Sequence, residues 1–196
     1  MKLVLASGNA GKLAEMRELL AGLDVELVAQ SELGIGDAAE TASTFVENAL
    51  SKARHAARAS GLPALGDDSG LCVDALGGAP GLYSARYAGV HGDAAANIAK
   101  LLDALRDVPA SARGAYFHCT IALLRSADDP APLIAEGRWR GFVLEAPRGT
   151  RGFGYDPVFF DPVLGLGAAE LDPAVKNRVS HRGQALARLR ERLAAA

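Results

Sequence analysis

Cysteine and long apolar runs are scarce in this 196-residue sequence, and their scarcity excludes several classes of protein. The chain has two cysteines, so it cannot build a disulfide framework or a four-thiolate zinc site. No apolar run approaches the roughly 20 residues that a membrane-spanning helix needs. The formal net charge of −2 supplies no positive field that would hold nucleic acid nonspecifically. We therefore expect neither a nucleic-acid partner nor a membrane partner.

The composition that is present is typical of a globular chain, with 49% hydrophobic and 22% charged residues. A chain of this length buries a core of its own, and we expect one domain over residues 1–196. The apolar run at residues 1–6 is too short for the core of a signal peptide and predicts a buried first strand. A cytoplasmic location is the expectation that follows.

Strand and helix patterns alternate in the first part of the chain. Lys2 to Ala6 is predicted as a strand, Asn9 as the cap of a helix, and Val25 to Val28 as a second strand. The apolar stripe of that first helix consists of Leu13, Met16, Leu20 and Leu23. Thr44 and Glu47 form a capping box that starts a helix ending near Ser60.

Two long strands, at 115–124 and 133–144, follow a predicted helix at about 93–106, and a last helix begins at Ser180. A short strand at 64–66 leads into an acidic segment, and residues 31–42, 76–92 and 145–179 are rich in loop signals. This order predicts an α/β protein with a mixed sheet.

A glycine-containing turn joins the first strand to the first helix, and its residues are Ser7, Gly8, Asn9, Ala10, Gly11 and Lys12. Backbone N–H groups at a helix start favour a phosphate, and Lys12 reaches the same anion one turn later. It is not a Walker loop, because only two residues separate Gly8 from Gly11-Lys12. The segment alone fits a phosphate site and an ordinary capped turn equally well.

Asp67-Asp68-Ser69-Gly70 follows the short strand. Adjacent carboxylates at the end of a strand can converge on a magnesium ion, and a metal-held carboxylate is a plausible general base. The same composition is also typical of a turn closed by its own aspartate side chains. Taken alone, the segment favours the turn.

Lysine is scarce, with five residues in the chain. A lysine that lies in a motif is therefore a candidate functional residue. Lys52 and Asn48 lie four residues apart at the edge of the inward arc of their predicted helix. A lysine that points inward needs a partner or a ligand. The alternative is a side chain that extends along the helix to solvent.

Two late segments carry further candidates. Gly152 to Pro157 places Phe153 and Tyr155 between glycines, which suits either rings stacked on a nucleobase or a hydrophobic plug. Ser180-His181-Arg182 puts two basic side chains at a helix start, where they oppose the dipole. They are either exposed and without function or placed for a ligand.

Together these segments resemble the inosine triphosphate pyrophosphatase family, which acts on non-canonical purine nucleoside triphosphates. The resemblance covers essentially the whole chain. It rests on Ser7-x-Asn9-x-x-Lys12, Glu40-Thr41-x-x-Thr44-Phe45-x-Glu47-Asn48-Ala49, Asp67-Asp68-Ser69-Gly70-Leu71, Gly77-Gly78-Ala79-Pro80-Gly81-x-Tyr83-Ser84-Ala85-Arg86, Phe153-Gly154-Tyr155-Asp156-Pro157 and Ser180-His181-Arg182.

The resemblance implies hydrolysis of ITP, dITP and XTP to the monophosphate and pyrophosphate with Mg2+. It implies a two-lobed mixed α/β fold with the active-site cleft between the lobes, and a homodimer. Glu40 and Asp68 are the implied metal ligands, and Asp68 is also the implied general base. The implied substrate contacts are the residues Ser7 to Lys12, Lys52, Ser69, Phe153, Gly154, Tyr155, Asp156, Lys176, His181 and Arg182.

Selectivity would come from the nucleobase. An arginine donor such as Arg182 favours the 6-oxo group of inosine and xanthine over the 6-amino group of adenine. Three other functions remain open at this point. They are a septum-formation-inhibitor-like pyrophosphatase for modified pyrimidine nucleotides, a nucleotide sensor without catalysis, and a magnesium phosphatase that releases single phosphates.

Overall fold

Seven strands and five α-helices form the described part, residues 2–22 and 25–194, of the computed structural model of this chain. The strands are β1 (Lys2–Ala6), β2 (Glu26–Ala29), β3 (Ala64–Val73), β4 (Gly114–Leu124), β5 (Leu133–Val143), β6 (Phe159–Asp161) and β7 (Leu166–Gly167). The helices are α1 (Ala10–Leu19), α2 (Phe45–Ser60), α3 (Ala94–Ala104), α4 (Pro173–Val179) and α5 (His181–Ala194).

The strands form one sheet in the order β2-β1-β3-β4-β5-β6-β7. β1 pairs in parallel with β2 and β3, whereas β6 pairs antiparallel with β5 and β7. The predicted α/β fold with a mixed sheet is therefore confirmed. Within residues 2–22 and 25–194, no helix is both long enough and apolar enough to cross a bilayer.

The chain divides into two compact units, and the division falls inside β3, β4 and β5. Unit 1 takes its described residues from Met1–Asp68, Cys119–Gly137 and Arg182–Ala196. Unit 2 consists of Ser69–His118 and Arg138–His181. The single domain over residues 1–196 and the cleft between lobes stay predictions.

In unit 1, residues of one strand alternate between two apolar cores. Leu3 and Leu5 of β1 pack with Met16 of α1 and Leu186 of α5. Val4 and Ala6 pack instead against Ala56 and Ala57 of α2. Helices therefore cover both faces of the sheet in unit 1, with α1 and α5 on one face and α2 on the other.

Unit 2 has its own core, built on aromatic side chains. Phe117 and Phe159 lie with ring centroids 4.6 Å apart, and Trp139 lies 4.9 Å from Phe159. The Trp139 Nε1–H donates to the Asp161 carboxylate at 2.7 Å, so the one polar atom of that ring is satisfied. Leu101 and Leu105, from α3 and the residue after it, pack on the same cluster.

Two sequence-based assignments need correction. The strand predicted at 64–66 continues to Val73, because β3 pairs with β1 and neighbours β4 in the sheet. The segment 145–179 contains β6, β7 and α4, and α4 begins with the cap Asp172 and with Pro173 in its first turn. The other predicted strands and helices agree within two residues, and Leu23 of the predicted apolar stripe lies outside the described residues.

Candidate active site

Asp67 and Asp68 lie in the middle of β3, and both are buried. The turn that local composition favours for this segment is therefore wrong, since strand pairing outweighs local preference. Successive side chains of a strand point to opposite faces of the sheet. The two carboxylates consequently meet two different sets of partners within unit 1.

The first set is the Asp67 network, which consists of Lys12, Glu15, Asp67, Cys119 and Arg182. Asp67 Oδ1 pairs with the Lys12 ammonium. Asp67 Oδ2 accepts from Arg182 Nε at 3.3 Å and from the Cys119 thiol at 3.0 Å. Arg182 also pairs through Nη1 with Glu15 of α1. Two cations and two anions thus balance in a buried network.

The charges of this network are held by one another. Burial by itself raises the pKa of Asp67, but the neighbouring charges of Arg182 and Lys12 hold that pKa far below its usual range. Burial, with the Asp67 charge, raises the pKa of the Cys119 thiol well above its usual value. Asp67 therefore stays ionised, and Cys119 stays a protonated donor.

The second set is the Asp68 cluster, which consists of Glu40, Asn48, Lys52 and Asp68. The Lys52 ammonium donates to Asp68 Oδ1 at 2.8 Å and pairs with Glu40. Asn48 Nδ2 donates to Asp68 Oδ2 at 3.2 Å, and its side-chain oxygen accepts from the backbone N–H of Ala42. Lys52 and Asn48 of α2 thus have inward partners, as their helical spacing predicts.

The pKa of Asp68 is shifted in the opposite direction from the pKa of Asp67. Burial raises the pKa of Asp68, and the attraction of Lys52 offsets only part of that shift. Burial lowers the pKa of Lys52, but Asp68 and Glu40 outweigh it, so the net shift of Lys52 is upward. A positive lysine therefore sits beside an aspartate that takes up a proton more readily than usual.

Gly66 allows α2 to approach β3 closely enough to form the Asp68 cluster. A Cβ at this position would collide with the Ala49 carbonyl oxygen and lie 2.9 Å from the Ala53 nitrogen. No side chain fits between the helix and the strand there. The contact brings Asn48 and Lys52 within reach of Asp68.

The segment Ser7 to Lys12 forms a capped helix start at the end of β1. The Asn9 side chain accepts from the Lys12 backbone N–H at 3.0 Å, and the Asn9 N–H donates to Ser7 Oγ at 3.2 Å. A Cβ at Gly8 would lie 3.5 Å from the Asp37 carboxylate, an ordinary contact distance. Packing in unit 1 therefore does not require glycine at position 8. A glycine there lets a ligand approach the backbone closely.

Glu40 and Asp68 are the residues whose chemistry suits a magnesium ion. The Asp68 cluster has two carboxylates and one ammonium, so its formal charge is −1. Carboxylate oxygens are the ligands that Mg2+ prefers, and it commonly takes one or two of them together with waters and substrate phosphates. No group of three or more His, Cys, Asp and Glu side chains suited to a metal occurs in 2–22 and 25–194. The residues present fit a site that substrate and water complete.

A third cluster lies wholly in unit 2, where Asp156 orders the aromatic loop. Asp156 Oδ2 accepts from the Phe153 N–H at 2.8 Å and from Lys176 Nζ at 2.7 Å. The Lys176 ammonium also lies 5.0 Å from the centre of the Phe153 ring. A Cβ at Gly152 would collide with the Asp156 carboxylate, and φ there is +76°. The loop therefore holds a half-buried ring and an ammonium side by side.

Tyr155, from the same loop, is buried and donates its hydroxyl to the Ser84 carbonyl at 2.9 Å. His181 stacks on Phe117 with ring centroids 4.8 Å apart. His181 and Arg182 are both buried, so the interpretation of this pair as exposed is wrong. Arg182 is 2% exposed because two carboxylates compensate its charge.

The structure sorts the predicted site residues by unit. Ser7 to Lys12, Glu40, Lys52, Asp68 and Arg182 belong to unit 1. Ser69, Phe153, Gly154, Tyr155, Asp156, Lys176 and His181 belong to unit 2. Sequence reasoning does not identify Glu15 or Cys119 as partners of this site, and no local pattern distinguishes Glu15 from the exposed Glu18 one turn later.

Known proteins resemble this chain over nearly all of its length. The Ham1 family profile matches residues 3–192. A protein of Xanthomonas campestris named dITP/XTP pyrophosphatase is 66% identical over 97% of this chain and 96% of its own length. One of Halorhodospira halophila with the same name is 60% identical over 100% of this chain and 98% of its own.

The same likeness extends to a solved structure. A HAM1 protein from Coxiella burnetii is 54% identical, covers both chains fully and superposes with a TM-score of 0.91. The recognition made from the sequence motifs is confirmed by these matches. The chain belongs to the Ham1 family.

Proposed function

We propose that this chain hydrolyses ITP, dITP and XTP to the nucleoside monophosphate and pyrophosphate. The chain is a nucleoside triphosphate pyrophosphatase, in line with relatives named dITP/XTP pyrophosphatase. The observation that carries the detailed proposal is the Asp68 cluster, in which Glu40 and Asp68 share the Lys52 ammonium. Such a cluster offers a base, a cation and oxygen ligands within one unit.

Asp68 is the proposed general base. It accepts a proton from a water whose oxygen attacks the α-phosphorus, the bond from that phosphorus to the bridging oxygen breaks, and pyrophosphate leaves. The upward pKa shift of Asp68 supports this role, because a base works best when its pKa lies closer to the working pH. Lys52 lies 2.8 Å from the same carboxylate and keeps its orientation fixed.

The leaving pyrophosphate carries several negative charges, and unit 1 supplies positive ones. We assign Ser7 to Lys12 to the triphosphate, because backbone N–H groups and the Lys12 ammonium meet at the start of α1. Glu40 and Asp68 would hold Mg2+. Bound there, the ion supplies positive charge to the phosphate oxygens.

The unit 2 cluster is assigned to the nucleobase. The half-buried Phe153 ring offers a stacking surface, and Lys176 and Asp156 supply a donor and an acceptor beside it. His181, stacked on Phe117, is proposed as a further contact. The homodimer and the cytoplasmic location stay predictions.

Product analysis tests this function. Purified protein with Mg2+ is given ITP, dITP, XTP, ATP and GTP separately, and the products are separated by anion exchange. We expect monophosphate and pyrophosphate from the first three and little turnover of ATP and GTP. Orthophosphate as the product would indicate a phosphatase, and tight binding without turnover would indicate a nucleotide sensor.

A further inference from the structure

The Asp67 carboxylate has no access to solvent, yet it contacts a residue of the proposed phosphate site. The side chain of Asp67 is 0% exposed, whereas the side chain of Lys12 is 14% exposed. Asp67 is therefore too deeply buried to contact a substrate. Any effect of Asp67 on a substrate must pass through one of its partners, and Lys12 is more exposed than Arg182 and Cys119.

We propose that Asp67 is a positioning residue that holds the Lys12 ammonium in place for the substrate phosphates. This inference rests on the proposed function, since it needs Lys12 to meet a triphosphate. The ion pair with Asp67 holds the end of the Lys12 side chain against a buried carboxylate. An ammonium carries three N–H donors, so it can serve an anion from that position.

A lysine side chain is long and flexible, so fixing its end normally costs conformational entropy when a ligand binds. The contact with Asp67 imposes that order before the substrate arrives. An ammonium held at its working position contributes more to binding than one that must be captured. This is the physical gain that the network provides.

Asp67 itself is fixed by partners from two other elements. Arg182, at the start of α5, and Cys119 of β4 both donate to Oδ2, which leaves Oδ1 for Lys12. Glu15 pairs with Arg182 and belongs to the same helix as Lys12. The network therefore ties α1 and the first turn of α5 to β3.

A double-mutant cycle tests the proposal on the full chain, with wild type, Asp67→Asn, Lys12→Met and the double variant. Two quantities are measured for each: kcat and KM for ITP with Mg2+, and the affinity for inorganic pyrophosphate by calorimetry. We expect each single variant to weaken pyrophosphate binding and to raise KM about tenfold, with a smaller change in kcat. We expect the double variant to be no weaker than Lys12→Met alone, because Asp67 has nothing left to position.

Asp129→Asn is the matched control. Asp129 is also a buried aspartate of unit 1 paired with an arginine, Arg125, but it lies at the turn between β4 and β5. The same chemical change there should leave KM and pyrophosphate binding as in wild type. Circular dichroism and thermal unfolding report whether each variant is folded.

Cys119→Ala covers the case in which Asp67→Asn does not fold. It removes one donor to Asp67 Oδ2 without changing any charge. We expect about a threefold rise in KM that disappears in the Lys12→Met background. A loss that persists at full size in that background would overturn the proposal.

Other results also contradict the positioning role. Additive losses of pyrophosphate affinity in the double variant would show that Asp67 does not act through Lys12. Tighter pyrophosphate binding by Asp67→Asn would show that the Asp67 charge repels the phosphate. A wild type that binds no pyrophosphate would also overturn the inference. If the wild type binds pyrophosphate but does not hydrolyse ITP, the proposed function fails, and the binding cycle still tests the role of Asp67.

Discussion

Asp67 and Asp68 are neighbours in β3, but their surroundings differ in charge and in access. The Asp67 network has two cations, Lys12 and Arg182, and two anions, Glu15 and Asp67. The Asp68 cluster has two carboxylates around one ammonium, which leaves a formal charge of −1. The pKa of Asp67 is pushed down and that of Asp68 is pushed up. Two consecutive aspartates of one strand thus differ in the charge around them and in the direction of their pKa shifts.

The difference follows from the alternation of side chains along a strand. One face of β3 in unit 1 meets α1 and α5, which supply Lys12 and Arg182. The other face meets α2, which supplies Asn48 and Lys52. Two consecutive aspartates in a buried strand therefore meet two different sets of partners.

Asp68→Asn should give the largest loss of activity, because it removes the charge that distinguishes the Asp68 cluster from the Asp67 network. We expect kcat for ITP to fall roughly a thousandfold, because an amide cannot accept the proton from the attacking water. Binding of ITP, measured by calorimetry, should stay within a few fold of wild type. A variant that turns over ITP at a near-normal rate would remove Asp68 from the role of base.

Gly66→Ala should remove the Asp68 cluster by displacing α2. The added methyl group meets the backbone of Ala49 and Ala53, so we expect a loss of about 1–3 kcal/mol in the free energy of unfolding, together with reduced kcat. Chemical denaturation measures the first quantity. Gly36→Ala is the control, since a Cβ there meets nothing within 4 Å and its stability should barely change. Equal stability of the two variants would contradict the close packing.

Arg182→Ala tests whether Arg182 supports the Asp67 network or selects the nucleobase. The guanidinium is 2% exposed and paired with Asp67 and Glu15, so we expect KM to rise by a similar factor for ITP and ATP. The ratio of kcat/KM between the two nucleotides is the measurement. A ratio that falls toward unity would instead support the selection of 6-oxo bases by an arginine donor at position 182.

The titration of the two carboxyls is the smallest effect. In carboxyl-labelled protein without divalent metal, carbon-13 NMR should show Asp68 titrating above the usual value of about 3.9 and Asp67 below it. Because the folded pKa of Asp67 is lower than its unfolded pKa, its contribution to stability is present above about pH 4 and is lost as pH falls. Coincident titrations would contradict the difference between the two sites.

The sequence predicts the fold class and the inward placement of two members of the Asp68 cluster. The helical spacing of Asn48 and Lys52 places both at the inward edge of α2, and both have buried partners. Strands β1, β4 and β5 follow from their apolar runs. These features are local, so residues near one another in sequence are enough to predict them.

The burial of Asp67 and Arg182 is not predictable in this way. Asp-Asp-Ser-Gly has the composition of a turn, and a basic pair opposes the dipole at the start of a helix. Each unfavourable charge is compensated by the other, and the two residues are 115 positions apart in the chain. The local sequence around each residue shows that burying its charge is unfavourable, but it does not show the distant partner that compensates the charge. Local patterns therefore predict that both side chains are exposed.

Isotope labelling tests whether water attacks the α-phosphorus, the step on which the role proposed for Asp68 depends. ITP is hydrolysed by the wild-type protein in water enriched in oxygen-18, and the products are analysed by mass spectrometry. We expect one labelled oxygen in inosine monophosphate and none in pyrophosphate. Label in pyrophosphate would place the attack on the β-phosphorus and would contradict the role assigned to Asp68.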